Sequence, residues 1–444
     1  MIFSRNLLLA AVSFFLWSAS YNLIAPFLPL LARELGATSV QMGLVGSIGM
    51  LGAATLVFPI SVLSDRVGRR PALVLGWVAS AAGMFIMWPA RSWAGLLPGV
   101  FLSMAAVAAL PTLNALALEE LPAPRRARGF ALLYAAAPLG TLLGSAVSGF
   151  LGTLVGLQAS TAVAGACLLG ATLVLLPITE RRPAGADETA TAGAAASGRP
   201  GGSTGPGGPG GPGERGGPGG SAATDGRQPG GILLALFSVM SAGALFLMGL
   251  PGSFIVPYVK EVSRVSLVLA GLAVSVLSGA QLAWSLLFST WPRFSGRVRV
   301  GRGRTELELS RATLQAITVC LAANALFGLL LPSGLAAAAV VALVLRGSQF
   351  ALQSLGSALM GDVVPVGPGL STRLTTLSVA LGVGAAAAPV AGGWLYGIRP
   401  ALPFWVMAAA AAVGAVLLAA VNQWLPEAGA RAERRSGVAA GENP

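Results

Sequence analysis

Ser61-Val62-Leu63-Ser64-Asp65-Arg66-Val67-Gly68-Arg69-Arg70 lies between two long apolar runs. Residues 40–63 before its core carry no Asp, Glu, Lys or Arg, and neither do residues 72–90 after it. Each run is close to the ~20 residues that a helix needs to cross the hydrocarbon of a bilayer. Four charges in ten residues, flanked by uncharged runs on both sides, read as a loop joining two membrane helices. Helix is the state such runs must take, because backbone polar groups in hydrocarbon need partners within their own segment.

The same alternation continues along the chain. Apolar stretches separated by arginine-rich or Gly/Pro breaks predict twelve helices, at about 7–31, 40–63, 72–90, 94–117, 128–152, 157–177, 231–257, 266–290, 312–331, 335–360, 372–397 and 401–424. Transmembrane strands would appear as shorter alternating segments. Composition agrees: 55% of the 444 residues are hydrophobic, only 10% are charged, and the mean hydropathy is +0.77. A water-soluble domain carries about a quarter charged residues, so lipid must solvate most of this surface. The expected class is an all-α integral membrane protein.

The formal charge of +12 comes from 28 Lys+Arg against 16 Asp+Glu. A basic balance can signal nucleic acid, but here the arginines sit in alternate loops: 66, 69 and 70; 125, 126 and 128; 181 and 182; 293, 297, 299, 302 and 304; and the tail at 431, 434 and 435. The intervening loops hold only Arg33, Arg91, Lys260, Arg264 and Arg399. That asymmetry is a topology signal, and it predicts a multi-pass protein of the plasma (inner) membrane with both termini cytoplasmic. No nucleic-acid partner is expected. The N-terminal stretch resembles a signal peptide as far as Ser18–Ser20, but its apolar run continues to Leu31, longer than a signal h-region. We read it as an uncleaved first helix. With no His, and with Cys167 and Cys320 isolated from each other, neither a metal site nor a cofactor is expected.

Residues 178–230 are dominated by Gly, Pro, Ser, Ala and Thr, a composition that cannot bury a core. They read as a tether of ~40 Å reach between residues 1–177 and 231–425, each a six-helix bundle, with 426–444 as a tail. The two halves repeat. A shift of 228 carries Pro29 onto Pro257, Gly43 onto Gly271, Leu44 onto Leu272, Ser47 onto Ser275, Ser61 onto Ser289, Gly68 onto Gly296 and Arg69 onto Arg297. Near the end of each half the shift becomes 244, setting Gly144–Gly149 against Ala388–Gly393, so a longer loop is expected after the eighth helix. Parallel halves of this kind place a substrate site at their interface near the midplane.

The loop at 61–70 resembles the signature of the major facilitator superfamily, Gly-x-x-x-Asp-Arg-x-Gly-Arg-Arg, with Ser61 in place of the leading glycine. The helix count, the duplication and the central tether fit the same resemblance. It implies a secondary transporter of twelve helices in two pseudo-symmetric bundles, working by alternating access. It also implies that Asp65, Arg66, Gly68, Arg69 and Arg70 help latch one conformation; enforcing topology is the plainer role of the arginines. Gly68 would permit a tight turn. The second copy has Arg293 where the acid belongs. A pattern of many exporters in the family, Gly-Pro-x-x-Gly-Gly in the fifth helix, keeps Gly144 and Gly149 but has Ser145 for the proline, while the eleventh helix keeps Pro389. Close packing explains these residues equally.

Charges inside a membrane are functional suspects. Arg346 in the tenth helix is the deep one, about thirteen residues or ~20 Å from the helix end. Gln349 and Gln353 follow on its face, which makes an anion-binding stripe; satisfaction by carbonyls is the structural alternative. Trp17, Tyr21 and Asn22 of the first helix are candidate ligand contacts, as are Asn114, Tyr134, Gln281 and Trp284, at which packing is the simpler reading. No Asp, Glu or His lies mid-membrane, so proton coupling would fall to helix-end carboxylates such as Glu120 or Asp362. The expected partners are lipid, a small-molecule substrate and a proton, with the protein a monomer.

Three functions compete: an exporter of a small organic, anionic solute; a uniporter or lipid flippase of the same fold; and a non-transporting scaffold or sensor. No nucleophile–base pair or phosphate loop is visible, so an enzyme is not expected.

Overall fold

The computed structural model of the chain describes residues 5–120, 126–179, 243, 246–289, 297–300, 307–349, 351–352 and 370–424. Nearly all of the 178–230 stretch, the start of the seventh helix and the tail lie outside these. Among the described residues, nine helices are long and apolar enough to cross a membrane. The shorter helix Ala336–Arg346, the helix Leu370–Ile398 and the segment 246–262 stand where the tenth, eleventh and seventh are expected.

The turn that opened the sequence reading forms as its glycine predicts. The second helix, Ser39–Val67, ends on Gly68, whose φ of 106° is open to a residue without a Cβ, and the third, Arg69–Met87, starts at once. At its other end the second helix is started by a capping box: Gln41 N donates to Thr38 Oγ1 and Thr38 N donates to Gln41 Oε1.

Three helices expected to be continuous are broken. The first stops at Asn22, passes through a 3-10 turn at Ala25–Phe27 and resumes as Leu28–Glu34. The seventh repeats this with a 3-10 turn at Gly252–Phe254, a turn of α-helix at Ile255–Pro257 and a π turn at Tyr258–Val262. Pro26 and Pro251 lack the N–H that an unbroken helix would use there. The fourth divides into Trp93–Ser103, Ala105–Ala108 and Leu110–Glu120, the last break just before Pro111. The long loop after the eighth helix (Leu267–Ser289) adds a small antiparallel hairpin to the helical fold, Arg297–Val300 paired with Leu307–Ser310.

The repeat read from sequence reappears in the helix starts. The shift of 228 carries Ser39, where the second helix begins, onto Leu267, where the eighth begins. The shift of 244 carries Arg126, the start of the fifth helix (Arg126–Val155), onto Leu370, the start of the eleventh.

These four helices cross in two equivalent places, second against eleventh and eighth against fifth. A Cβ on Gly43 would collide with the Pro389 carbonyl, and its counterpart on Gly271 would lie 2.7 Å from the Ser145 carbonyl oxygen. A Cβ on Gly149 would strike the Leu267 carbonyl, and one on Gly393 the Ser39 carbonyl. The same shifts relate both pairs, so four glycines bring backbone onto backbone across the seam in a pseudo-twofold arrangement. All four contacts lie toward the end away from the 61–70 loop. There Arg33 Nε also meets Glu261 Oε1 at 3.1 Å, joining the first and seventh helices. One cluster of buried apolar side chains runs across both halves at this end, including Phe27, Leu31, Met42, Val259 and Phe404. A second cluster holds first-half residues only.

Magnitudes rank these contacts. The ion pair is partly exposed, with Arg33 and Glu261 side chains at 46% and 28%, and such pairs contribute about 0–1 kcal/mol. Overfilling a close crossing costs about 1–3 kcal/mol. In protein lacking the exposed Cys167, maleimide labelling of a cysteine at buried Val259 should therefore rise about 5- to 100-fold for Gly43→Ala, and no more than about fivefold for Glu261→Gln. Gly170→Ala, whose Cβ would meet nothing within 4 Å, should leave labelling unchanged. If Gly43→Ala labels like Gly170→Ala, the crossings do not close this end.

Candidate functional site

The tenth helix begins at Ala336 after the turn through Leu331–Gly334, and it is apolar until Arg346 in its last turn. Ten residues of rise from Ala336 put Arg346 ~15 Å in, shallower than the ~20 Å expected from the sequence. The side chain is buried, with 5% of the residue exposed. Its Nη1 donates to Asn324 Oδ1 at 2.8 Å and lies 3.2 Å from Met407 Sδ, and its Nη2 donates to the Met248 carbonyl at 2.8 Å. The guanidinium carbon sits 5.2 Å from the centroid of Phe327, a cation–π contact.

Asn324 is itself fixed from both sides. Its Nδ2 donates to the Cys320 carbonyl at 2.8 Å and to Ser348 Oγ at 3.0 Å. Helices seven, nine, ten and twelve thus converge on one cation. A guanidinium has five N–H donors; three are used here, leaving one at Nε and one at Nη2 without a partner among the described residues. No carboxylate pairs with Arg346 among them either. Removing water from an unpaired charge is costly, and neutral acceptors offset only part of that cost.

Arg346 and Gln349 border a cavity of about 410 Å³ between the halves. The first half supplies Tyr21, Gly46 and Gly49, and the second supplies Ser253, Val274 and Pro389. Arg346 is the only charged residue in the described lining. Gln349 Oε1 is buried and has no hydrogen-bond partner among the described residues.

The sequence candidates separate as follows. Tyr21 reaches the cavity. Trp17 does not line it: it stacks between Phe14 and Tyr21, with ring centroids 5.3 and 6.0 Å away, and tilts against Trp77 in the first-half core. Asn22 is used in packing, donating to the Ser18 carbonyl and to Thr141 Oγ1 of the fifth helix. Trp284 Nε1 donates to the Val344 carbonyl, tying the eighth helix to the tenth, and Gln281 lies one turn away on the same helix, outside the cavity lining. Asn114 is half-buried in the fourth helix and also outside the lining. Gln353, Asp362 and the side chain of Tyr134 lie outside the described residues.

In the 61–70 loop, Arg69 Nη1 donates to Asp65 Oδ1 at 2.6 Å and to Ser64 Oγ at 2.9 Å. Arg66 is exposed, and Arg70 stands in the first turn of the third helix. Glu120 accepts from Asn6 Nδ2 at 2.7 Å, joining the fourth helix to the first. Gly144 lets the fifth helix ride on the Ala19 carbonyl of the first, whereas Gly149 and Pro389 belong to the seam crossings. The sequence reading missed Asn324 and the Arg33–Glu261 pair. Asn324 carries the signal that singled out Arg346, a polar side chain deep in an apolar helix, Arg311–Leu330.

Removing the Asn324 acceptor strands a buried guanidinium donor, at a cost of about 1–3 kcal/mol. Asn324→Leu should lower the thermal midpoint of the purified protein by several degrees, and Ser348→Ala by less. Equal, small shifts in both variants would contradict this account of the network.

With this geometry in view, the chain compares with known proteins as follows. The sequence profile described as Major Facilitator Superfamily matches residues 10–348. The multi-drug resistance efflux pump PmrA of Streptococcus pneumoniae serotype 4 is 31% identical over 181 residues, 38% of this chain and 44% of that protein. The multidrug resistance protein MdtG of Serratia proteamaculans is 32% identical over 189 residues, 40% of this chain and 44% of that protein. The chain therefore spans less than half the length of the curated relatives that it matches. The nucleoside transporter NupG superposes with a TM-score of 0.65 at 12% identity, covering 95% of this chain and 100% of that one. A POT family transporter in complex with 5-aminolevulinic acid gives 0.68 at 12% identity, over 94% of this chain and 96% of that one. At such identities these two speak to fold alone. The profile match takes in most of the chain, the helices and their pseudo-symmetric pairing agree with it, and the chain belongs to the major facilitator superfamily.

Proposed function

We propose that this protein is a secondary transporter that exports a small organic solute bearing an anionic group. The observation that carries the reading is Arg346, a buried cation at the cavity with two unused donors and no carboxylate partner among the described residues. Such a group is stabilised by an anion that enters and accepts those donors. The cavity lies between the halves, where alternating access requires the site. Bundles 1–177 and 231–425, tethered through 178–230, rock about it, and the arginine-rich loops face the cytoplasm. Export is supported by the relatives named as efflux pumps.

In this scheme the glycine crossings and the Arg33–Glu261 pair close the outer end. A uniporter reading has one observation in its favour: no carboxylate borders the described cavity, so the usual proton-carrying group is missing there. If transport is proton-coupled, Glu261 and Glu120, each at a contact between helices, are the described carboxylates to carry it.

Reconstituted into liposomes, the protein should move organic anions in preference to matched cations. Arg346→Gln should cut anion flux at least about tenfold, the equivalent of one charge-assisted hydrogen bond, with the protein still monodisperse. Undiminished anion flux in that variant, or flux of cations alone, contradicts the proposal. An imposed proton gradient that drives uphill accumulation would exclude the uniporter.

A further inference from the structure

We infer that the solute is a lipophilic monoacid carrying a hydroxyl or neutral N–H donor beside its acid group. The inference rests on Arg346 as the anion anchor and adds the chemistry of what surrounds it. The described lining has one charge, so a second anionic group on the ligand would find no partner, and a cationic group would face Arg346 with no carboxylate to offset it. Most of the wall is apolar, from Val45 and Met50 on one half to Ile255 and Leu277 on the other. The body of the ligand is therefore apolar, with its surface taken out of water against these side chains.

Gln349 supplies the second polar requirement. It follows Arg346 by three residues, just past the turn at Gly347 that ends the helix, and both residues border the cavity. Its Oε1 is buried and unpartnered among the described residues. A buried acceptor left unpaired is costly, and a ligand donor close to the acid offsets that cost while Arg346 holds the acid. An ammonium would serve as donor but would also bring a second positive charge to the guanidinium. A neutral hydroxyl or amide N–H meets the requirement without that repulsion, as in a 2-hydroxy acid or an N-acylated amino acid.

The test is calorimetric titration of the purified full-length protein with four probes of one shape: 3-phenyllactate, 3-phenylpropionate, phenylalanine and phenethylamine. Phenyllactate should bind tightest, about five- to tenfold better than phenylpropionate, with the zwitterion and the amine far weaker. Gln349→Leu should erase the difference between the two acids, and Arg346→Gln should abolish binding of both. If the acids bind equally and Gln349→Leu changes neither, this inference fails while the anion site stands. If the amine binds best, or Arg346→Gln leaves acid binding intact, the anion site fails with it. Absence of binding by either acid to monodisperse protein also overturns the inference.

Discussion

Backbone-on-backbone contact at four glycines is the constraint on which the rest of this structure depends. In lipid no hydrophobic driving force pulls one helix onto another, so association relies on close packing and on polar contacts. Gly43 and Gly393 allow it where the second helix crosses the eleventh, and Gly149 and Gly271 where the fifth crosses the eighth. Because the repeat relates the two crossings, one end of the molecule is pinned at two points on either side of a central cavity. A seam held by unobstructed backbone can part without breaking strong bonds. The partly exposed Arg33–Glu261 pair adds little to it.

Arg346 imposes the opposite kind of constraint. A cation in a bilayer must be satisfied, and three other helices of the second half give up polar or polarizable groups to do so: the Met248 carbonyl, Asn324 and Phe327, and Met407 Sδ. All are neutral. They orient the guanidinium firmly and, among the described residues, leave its charge uncompensated, which suits the anion site proposed above. A carboxylate in the place of Asn324 would have neutralised the arginine and closed the site to anions. Firm positioning with incomplete neutralisation couples the fold to the function proposed here.

Much of this was legible in the sequence because it follows from composition and period. The charged turn at 61–70, the uncharged runs around it and the alternation of arginine fixed the class. The two shifts of the repeat return as matched helix starts at Ser39 and Leu267, and at Arg126 and Leu370. Arg346 stood out as a charge among apolar residues. What stayed hidden depended on contacts between distant segments. Trp17 and Tyr21 are one turn apart and look equivalent, yet only Tyr21 borders the cavity, since Trp77 from the third helix encloses Trp17. Asn22 suits binding and packing equally in the sequence, and only the neighbouring helix shows its partner Thr141; Trp284, for which packing is the simpler reading, donates to the Val344 carbonyl. The breaks in the first and seventh helices were signalled by Pro26 and Pro251, but hydropathy alone reads through them.

The central claim is that the two halves part at the glycine-pinned end and that occupancy of the Arg346 site governs when they do. The most direct measurement is a pulsed electron-spin distance between labels at the exposed positions Glu34 and Ser263, one on each half at that end, in protein lacking Cys167. The account predicts a short and a long distance in exchange, with an organic anion changing their proportions and Arg346→Gln removing that response. A single distance, indifferent to anion and to the substitution, would contradict it.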